Sequence, residues 1–304
     1  MGAAMKVARR RVIISLIAIA GTVATAVALA VCLHGTSAPL LQPGGRVAQE
    51  ELNLMVVAVV LSVVVVVPTF VLLIAFAVRY RVRDDAQARP YSPNLKNNRF
   101  VEIAWWIVPS VLICILSVVG WTSSHELDPY APLTSNVKPL TVQVIALDWK
   151  WLFIYPDEGV ASVNSLVIPT NTPVHFVLTS DAPMNSLWIP QLSGQIYAMP
   201  GMQTQLNIEA SSTGTYSGLS ANLSGDGFSG MRFQTKAVTD DAFQRWVHTA
   251  QQSPHSLDST TYAQLRKPSQ DVTPVDYRLA DATIFKSVIS RYMGMGATSS
   301  GKTP

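Results

Sequence analysis

The chain has few of the residues that form crosslinks or hold metals. Its 304 residues include two cysteines, Cys32 and Cys114, and both lie inside apolar runs, so no thiol remains for the polar half of the sequence. Charged residues make up 13% of the sequence, against roughly 25% in soluble domains. The net charge of +3 comes largely from basic residues beside the apolar runs, so no nucleic-acid partner is expected. These shortages exclude a disulfide-rich domain and point to membrane segments.

Two long stretches contain no charged residue at all. They are residues 52–78 and 103–121, and each can cross a hydrocarbon core of about 30 Å as a helix. Trp105, Trp106 and Trp121 lie near the ends of the second stretch, where aromatic rings favour the level of the lipid headgroups. Both stretches are therefore predicted to be transmembrane helices.

The basic residues around these stretches predict the orientation of the chain. The loop 79–102 carries six lysines and arginines, whereas Arg46 is the only one in residues 32–51 and none occurs between Trp121 and Lys138. Because cytoplasmic loops of membrane proteins are enriched in lysine and arginine, the 79–102 loop is predicted to be cytoplasmic. The protein would then be multi-pass, with everything after Trp121 on the periplasmic side.

The first 32 residues allow three interpretations. Four basic residues and no acid precede an apolar run that ends at Cys32, which is typical of a secretory signal. A cysteine in this place suggests a lipoprotein signal that is cleaved and lipidated at Cys32, although Val31 stands where a small residue is usual. The run is also long enough to remain as an uncleaved first helix. In the third interpretation, Cys32 is only a buried apolar residue.

Beyond Leu140 the apolar residues alternate with a period of two. The pattern predicts a sandwich or barrel of short strands within residues 138–238. The predicted strands cover residues 140–147, 149–154, 163–168, 173–180, 185–190, 202–209, 214–220 and 231–238. Helical patterns return in 240–253 and 281–293, which predicts a C-terminal arm over 239–293. The small polar residues of 294–304 predict a disordered tail.

Three motifs resemble subunit II of the heme–copper terminal oxidases. They are residues 98–105 with Pro109 at the second span, residues 148–151 at the start of the β domain, and residues 185–190 followed by 199–201. The resemblance covers nearly the whole chain. It implies a membrane α plus all-β fold, in which a two-helix transmembrane hairpin is followed by a cupredoxin-like Greek-key β-barrel and a C-terminal helical arm.

The resembled family has two branches, and they differ in copper. The cytochrome c oxidases hold a dinuclear copper centre in this domain with two histidines, two cysteines, a glutamate carbonyl and a methionine. The matching positions here are Asn185, Ser220, Asn222, Ser224, Phe228 and Met231. Such copper needs thiolate and imidazole ligands, and of the family's set only the methionine remains. We therefore expect no catalytic, cofactor-binding or metal-binding residue in this chain, and Met231 is interpreted as a core residue.

The other branch, the bo-type cytochrome o ubiquinol oxidases, lacks this copper. Its subunit II is typically lipid-anchored and ends in a helical arm, which residues 243–247 and 253–275 resemble. The resemblance implies a non-catalytic, structural subunit of a proton-pumping ubiquinol oxidase in the bacterial inner membrane. It also implies that subunit I holds the hemes and copper, and that subunits III and IV, membrane lipid and ubiquinol are further partners. The alternatives are a cytochrome c oxidase subunit, a membrane-tethered non-redox β domain and a menaquinol-using relative.

Four further residues invite a functional and a structural interpretation. Trp149 and Trp151 would serve electron entry in the copper-bearing branch, but packing in the core and at interfaces is favoured here. Glu126 and Asp128 follow the second span and are candidates for a proton exit, although a solvated turn is favoured.

Overall fold

The computed structural model describes residues 38–79 and 99–299, which fall into two compact units. One unit contains residues 53–125, and the other contains residues 38–52 together with everything from residue 126 onward. The predicted signal segment with Cys32, most of the predicted 79–102 loop and the last five residues of the tail lie outside the described residues.

Two long helices coincide with the two predicted spans. They are α1, Arg46–Arg79, and α2, Arg99–Glu126, and both are apolar and long enough to cross a membrane by length and composition. Each helix is longer than the predicted uncharged stretch, because its polar end turns are helical too. Large apolar side chains project from both helices, for example Leu73 at 61% exposure and Val118 at 65%. Such faces are expected where lipid or another protein replaces water.

The β domain consists of two sheets. The seven-stranded sheet has the order β11-β12-β3-β2-β1-β5-β8, and the five-stranded sheet has the order β4-β10-β9-β6-β7. The strands are β1 Leu140–Leu147, β2 Lys150–Tyr155, β3 Val160–Val163, β4 Ser165–Pro169, β5 Val174–Ser180, β6 Asn185–Trp188, β7 Ile196–Ala198, β8 Thr204–Ile208, β9 Gly214–Ser220, β10 Arg232–Val238, β11 Ser256–Leu257 and β12 Val275–Leu279. Strand β1 is parallel to β5, and β4 is parallel to β10, among otherwise mostly antiparallel pairs. This arrangement confirms the predicted cupredoxin-like fold.

One predicted strand, residues 163–168, contains a corner between the two sheets, and only residues 165–168 of it belong to a single strand, β4. Val163 ends β3 in the larger sheet, and Ser165 begins β4 in the smaller one. Asn164 between them has φ +54°, a left-handed conformation that asparagine tolerates better than most residues. The sequence pattern also missed β3, β7, β11 and β12, since strands of two to five residues are too short for alternation to be recognised.

The core has two layers, which explains why residues 144–147 of β1 and 151–155 of β2 are continuously apolar. Side chains from the facing sheets, among them Phe153, Phe176 and Phe233, form the main cluster. The opposite face of the larger sheet, including Ile145 and Leu152, packs against the C-terminal arm in a second cluster. A sheet that is covered on both faces cannot alternate between apolar and polar residues along its strands.

The C-terminal arm is part of the β domain rather than an appendage. It contains α3 Asp240–Gln251, α4 Ser259–Leu265 and α5 Ile284–Ser299, and it supplies strands β11 and β12 to the larger sheet. The predicted boundary at residue 239 therefore does not separate two structural units. Helix α5 continues past Gly294, so the first part of the predicted disordered tail 294–304 is helical.

The segment that leads into α1 is fixed to the β domain. The Gly44 N–H donates to the Gln191 carbonyl at 2.7 Å, and the Gly44 carbonyl accepts from Ser211 N–H at 2.8 Å. Gly45 passes so close to the Glu209 carbonyl that a Cβ would overlap it. Val47 in the first turn of α1 is buried. The start of α1 is thereby held on the domain by backbone contacts.

Candidate functional site

Five of the six positions that match the family's copper ligands are joined by hydrogen bonds. Asn185 begins β6 and Ser220 ends β9, and the Ser220 hydroxyl donates to Asn185 Oδ1 at 3.0 Å. The Ser220 hydroxyl also lies 3.3 Å from the Asn222 carbonyl as a donor, and Ser220 N–H donates to the Met231 carbonyl at 3.1 Å. Met231 N–H in turn donates to the Phe228 carbonyl at 3.0 Å. The strands β6, β9 and β10 thus bring these positions to one end of the smaller sheet. We refer to residues 220–231 as the 220–231 loop.

Ser224 and Phe228 lie further along the 220–231 loop. The Ser224 carbonyl accepts from the Trp149 indole N–H at 3.2 Å, and the Ser224 hydroxyl is buried without a hydrogen-bond partner among the described residues. Phe228 is half-buried and begins the short 3-10 turn Phe228–Gly230. No hydrogen bond within the described part of the chain links either side chain to the other four positions.

These donors do not fit a dinuclear copper centre. Asn185 and Asn222 offer amides, Ser220 offers a neutral hydroxyl that is already engaged with Asn185, and Phe228 offers no lone pair. Soft thiolates and imidazoles are the ligands that such copper requires. Met231 is 1% exposed and belongs to the main core cluster, as expected for a methionine that fills a core gap. Across 38–79 and 99–299, no group of three or more histidine, cysteine or acidic side chains is placed to hold a metal.

Trp149 packs against the 220–231 loop. It occupies the turn between β1 and β2 with φ +63°, which costs a non-glycine residue on the order of 1–2 kcal/mol. A Cβ on Gly227 would overlap its indole ring, so Gly227 must lack a side chain here. Trp151 is fully buried in the main core cluster, as the packing interpretation predicted.

Lys150, between the two tryptophans, is a buried amine that sequence reasoning missed. It is 1% exposed, and its Nζ donates to the Asp148 carbonyl at 3.3 Å, the Lys267 carbonyl at 2.9 Å and Ser269 Oγ at 2.5 Å. Burial lowers the pKa of Lys150, and the nearby Asp148 charge opposes that effect. The sequence does show a lysine inside an otherwise apolar strand, which indicates a buried amine. No local pattern predicts the hydrogen-bond acceptors that the arm provides for it.

A buried carboxylate, Asp181, is the second missed feature. It follows β5 and its side chain has 0% exposure, yet it contacts two arginines and two tyrosines of the arm. Arg266 Nε and Arg291 Nη1 lie 2.8 and 2.6 Å from Asp181 Oδ2, and the hydroxyls of Tyr262 and Tyr292 donate at 2.7 and 2.8 Å. Burial, and next the Asp181 carboxylate, raise the pKa of Tyr262 above its ordinary value. We refer to these five residues as the Asp181 cluster.

The predicted proton-exit candidates line a small cavity. Glu126 and Asp128 border a space of about 130 Å³ together with Arg46, Glu50 and Asn207. Asp128 Oδ1 also accepts from Tyr130 N–H at 2.9 Å, which is the hydrogen bond of the favoured solvated turn. The structure therefore brings both residues together, in a polar turn of the β-domain unit.

Comparison with known protein families shows which class of protein the chain belongs to. Residues 158–238 match the family model described as cytochrome c oxidase subunit II, periplasmic domain. Residues 251–296 match the model described as COX aromatic rich motif, which corresponds to the arm. With its apolar helices, the chain is thus a membrane-anchored subunit II of the heme–copper oxidases, with a periplasmic domain and partner subunits.

Relatives that match most of the chain show which kind of oxidase subunit it resembles most. The chain is 44% identical over 263 residues to cytochrome bo(3) ubiquinol oxidase subunit 2 of Pseudomonas aeruginosa, covering 86% of this chain and 79% of that protein. It is 44% identical over 266 residues to ubiquinol oxidase subunit 2 of Acetobacter aceti, covering 86% and 85%. It is 33% identical over 261 residues to quinol oxidase subunit 2 of Bacillus subtilis, covering 86% and 78%. The chain belongs to the ubiquinol oxidase subunit 2 family.

Proposed function

We propose that this chain is the non-catalytic subunit II of a bacterial ubiquinol oxidase that reduces oxygen to water and moves protons outward. The observation that carries the proposal is the donor set at the six ligand positions. Amides, hydroxyls and a phenyl ring occupy five of them, and the sixth is a methionine in the core. A domain with these side chains is a poor host for copper, so it is proposed to hold no redox centre of its own.

The loss of copper is compatible with a quinol as electron donor. A quinol is dissolved in the bilayer and delivers electrons from within the membrane. A docking and electron-entry site on the periplasmic domain is then unnecessary, whereas a soluble protein donor would need one. The same domain can therefore keep its fold while its ligand positions become neutral and hydrogen-bonded, as Asn185 and Ser220 are.

The proposed contribution of the chain is structural. Helices α1 and α2 would both span the membrane and present their exposed apolar side chains to lipid and to subunit I, which is proposed to hold the hemes and copper. Subunits III and IV are proposed as further partners. The β domain would then lie in the periplasm, and lipidation at Cys32 would add a second anchor. Mass analysis of the purified subunit tests the lipid, because a lipidated chain must begin at Cys32.

Copurification with activity measurements tests the proposed function. A tagged chain should copurify with a heme-bearing subunit, and the complex should consume oxygen with ubiquinol but not with reduced cytochrome c. Oxidation of cytochrome c by the complex would overturn the proposal in favour of a cytochrome c oxidase. A chain that purifies alone would point to a tethered non-redox domain. Assay with menaquinol addresses the remaining alternative, since the Bacillus subtilis relative is named only for quinol.

A further inference from the structure

The 220–231 loop has little regular structure to hold it in place. Between Leu223 and Gly230, its backbone–backbone hydrogen bonds are short-range, such as Phe228 N–H to the Gly225 carbonyl at 3.1 Å, and its regular structure is limited to the 3-10 turn Phe228–Gly230. Gly225 has φ +107°, and glycines lose the most conformational freedom on folding. A metal bound by such a loop would restrain it, because metal binding is coupled to folding. Since the donors present do not fit a metal, another restraint is needed.

The C-terminal arm supplies contacts in that place. Residues 267–272, which we refer to as the arm crossover, run between α4 and β12. A Cβ on Gly227 would come within 2.8 Å of Gln270 Cγ, and a Cβ on Gly230 within 2.7 Å of Asp271 Oδ1. Two glycines of the 220–231 loop are thus in close contact with two consecutive residues of the arm crossover.

Hydrogen bonds from two buried side chains hold the arm crossover against the larger sheet. The buried Lys150 ammonium donates to the Lys267 carbonyl and to Ser269 Oγ. At the other end, Asn164 Nδ2 donates to the Val272 carbonyl at 2.9 Å, while Asn164 Oδ1 accepts from Trp151 N–H at 2.9 Å. Both anchors involve buried side chains of the sheet. The arm crossover is therefore held at both ends, on either side of its contacts with the loop.

We propose that the arm crossover clamps the 220–231 loop against Trp149, and that this packing takes the place of a metal in fixing the loop's conformation. Gly227 is the centre of the clamp, because the Trp149 ring and Gln270 Cγ both contact it. The inference rests on the proposed absence of copper in this domain. In this proposal the arm positions a segment that lies more than 35 residues earlier in the chain. The same packing excludes a Cβ at Gly227.

Hydrogen exchange of the intact oxidase complex tests the clamp. Gln270→Ala removes the arm's contact from an exposed residue, and Gln264→Ala, an exposed glutamine on α4 of the same arm, is its matched control. We expect Gln270→Ala to speed exchange of the 224–231 amides by at least ~10-fold, while β1 amides and the control stay within about twofold of wild type. Unchanged exchange of 224–231 in Gln270→Ala would overturn the clamp.

A steric variant gives an independent readout from the other side of the contact. Gly227→Ala should speed exchange in both the loop and the arm crossover, because its methyl group must displace Trp149 or Gln270. Gly214→Ala is the control, since a Cβ there would lie 3.5 Å from the Tyr216 ring, an ordinary contact. If Gly227→Ala changed the loop alone and left 267–272 unaffected, the two segments would not be coupled and the clamp would be wrong.

Paramagnetic resonance of the same wild-type complex separates the two proposals. A mixed-valence dinuclear copper signal would overturn the proposed absence of copper in this chain, whatever the exchange data show. Absence of that signal together with unchanged exchange in Gln270→Ala would overturn the clamp alone. Absence of the signal with faster loop exchange supports both.

Discussion

Two polar clusters follow strand β5 within a few residues of each other, and they differ in charge. The Asp181 cluster contains a fully buried carboxylate with two arginines and two tyrosines. The second cluster is centred on Asn185, whose amide oxygen accepts from the neutral Ser220 hydroxyl. The charged cluster attaches the arm to the domain, whereas the neutral one lies at positions that the sequence resemblance predicts for copper ligands. Buried charge in these two clusters is therefore found where the arm attaches, and neutral donors are found at the positions predicted for copper ligands.

The largest effect is expected at Asp181. Asp181→Ala removes the carboxylate that Arg266 and Arg291 share, and it leaves the hydroxyls of Tyr262 and Tyr292 without their acceptor. A hydrogen bond to a charged group typically contributes about 1.5–3 kcal/mol, and several such bonds are lost together here. Denaturant unfolding of the purified chain in detergent should therefore show a large loss of stability, and the arm should exchange its amides faster.

An exposed ion pair is the matched control for Asp181. The side chains of Lys138 and Asp157 are 85% and 54% exposed at a distance of 3.3 Å, so Asp157→Ala should cost no more than about 1 kcal/mol. Equal losses for the two aspartates would show that the Asp181 cluster does not hold the arm.

A pH-dependent effect is expected at Lys150, which lies beside the arm crossover. Because burial lowers its pKa below the usual 10.5, the unfolded chain binds more protons than the native chain between the two values. Stability relative to Lys150→Met should then rise with pH through that interval, by at most about 1.4 kcal/mol per pH unit. Unfolding curves at several alkaline pH values measure the difference. A difference that falls with rising pH would contradict the assigned direction of the pKa shift.

A smaller effect than at Asp181 is expected in the neutral cluster. Ser220→Ala removes one hydrogen bond and leaves the buried Asn185 oxygen without that donor, which typically costs about 1–3 kcal/mol. Ser217→Ala, an exposed serine on the same strand, should cost less than about 0.5 kcal/mol. A loss at Ser220 as large as that at Asp181 would remove the distinction between the two clusters.

Much of the fold could be predicted from the sequence because it rests on local patterns. Long uncharged runs predicted α1 and α2, and alternation predicted most strands of the barrel. The sequence pattern predicts one strand across the corner at Asn164, because apolar residues continue on both sides of it. In the structure the chain changes from one sheet to the other at this residue. The resemblance identifies the six positions that match copper ligands, and hydrogen bonds join five of them in the structure.

The restraints on the arm could not be predicted in the same way. Asp181 meets Tyr262 and Tyr292 across 81 and 111 residues of chain, and Lys150 meets Ser269 across 119. No short-range pattern encodes such pairs, because they depend on how the arm returns to the sheet. The requirement for glycine at position 227 could not be predicted either. A side chain is excluded there only because Trp149 and Gln270 both contact Gly227 in the folded domain.

The metal content of this chain is the most direct test of its assignment to a quinol-fed oxidase. The purified chain, separated from its partner subunits and offered copper, should bind none tightly and give no mixed-valence resonance signal, because its donors are amides, hydroxyls and a core thioether. About two coppers per chain, with an electron shared between them, would contradict the assignment to a quinol-fed oxidase.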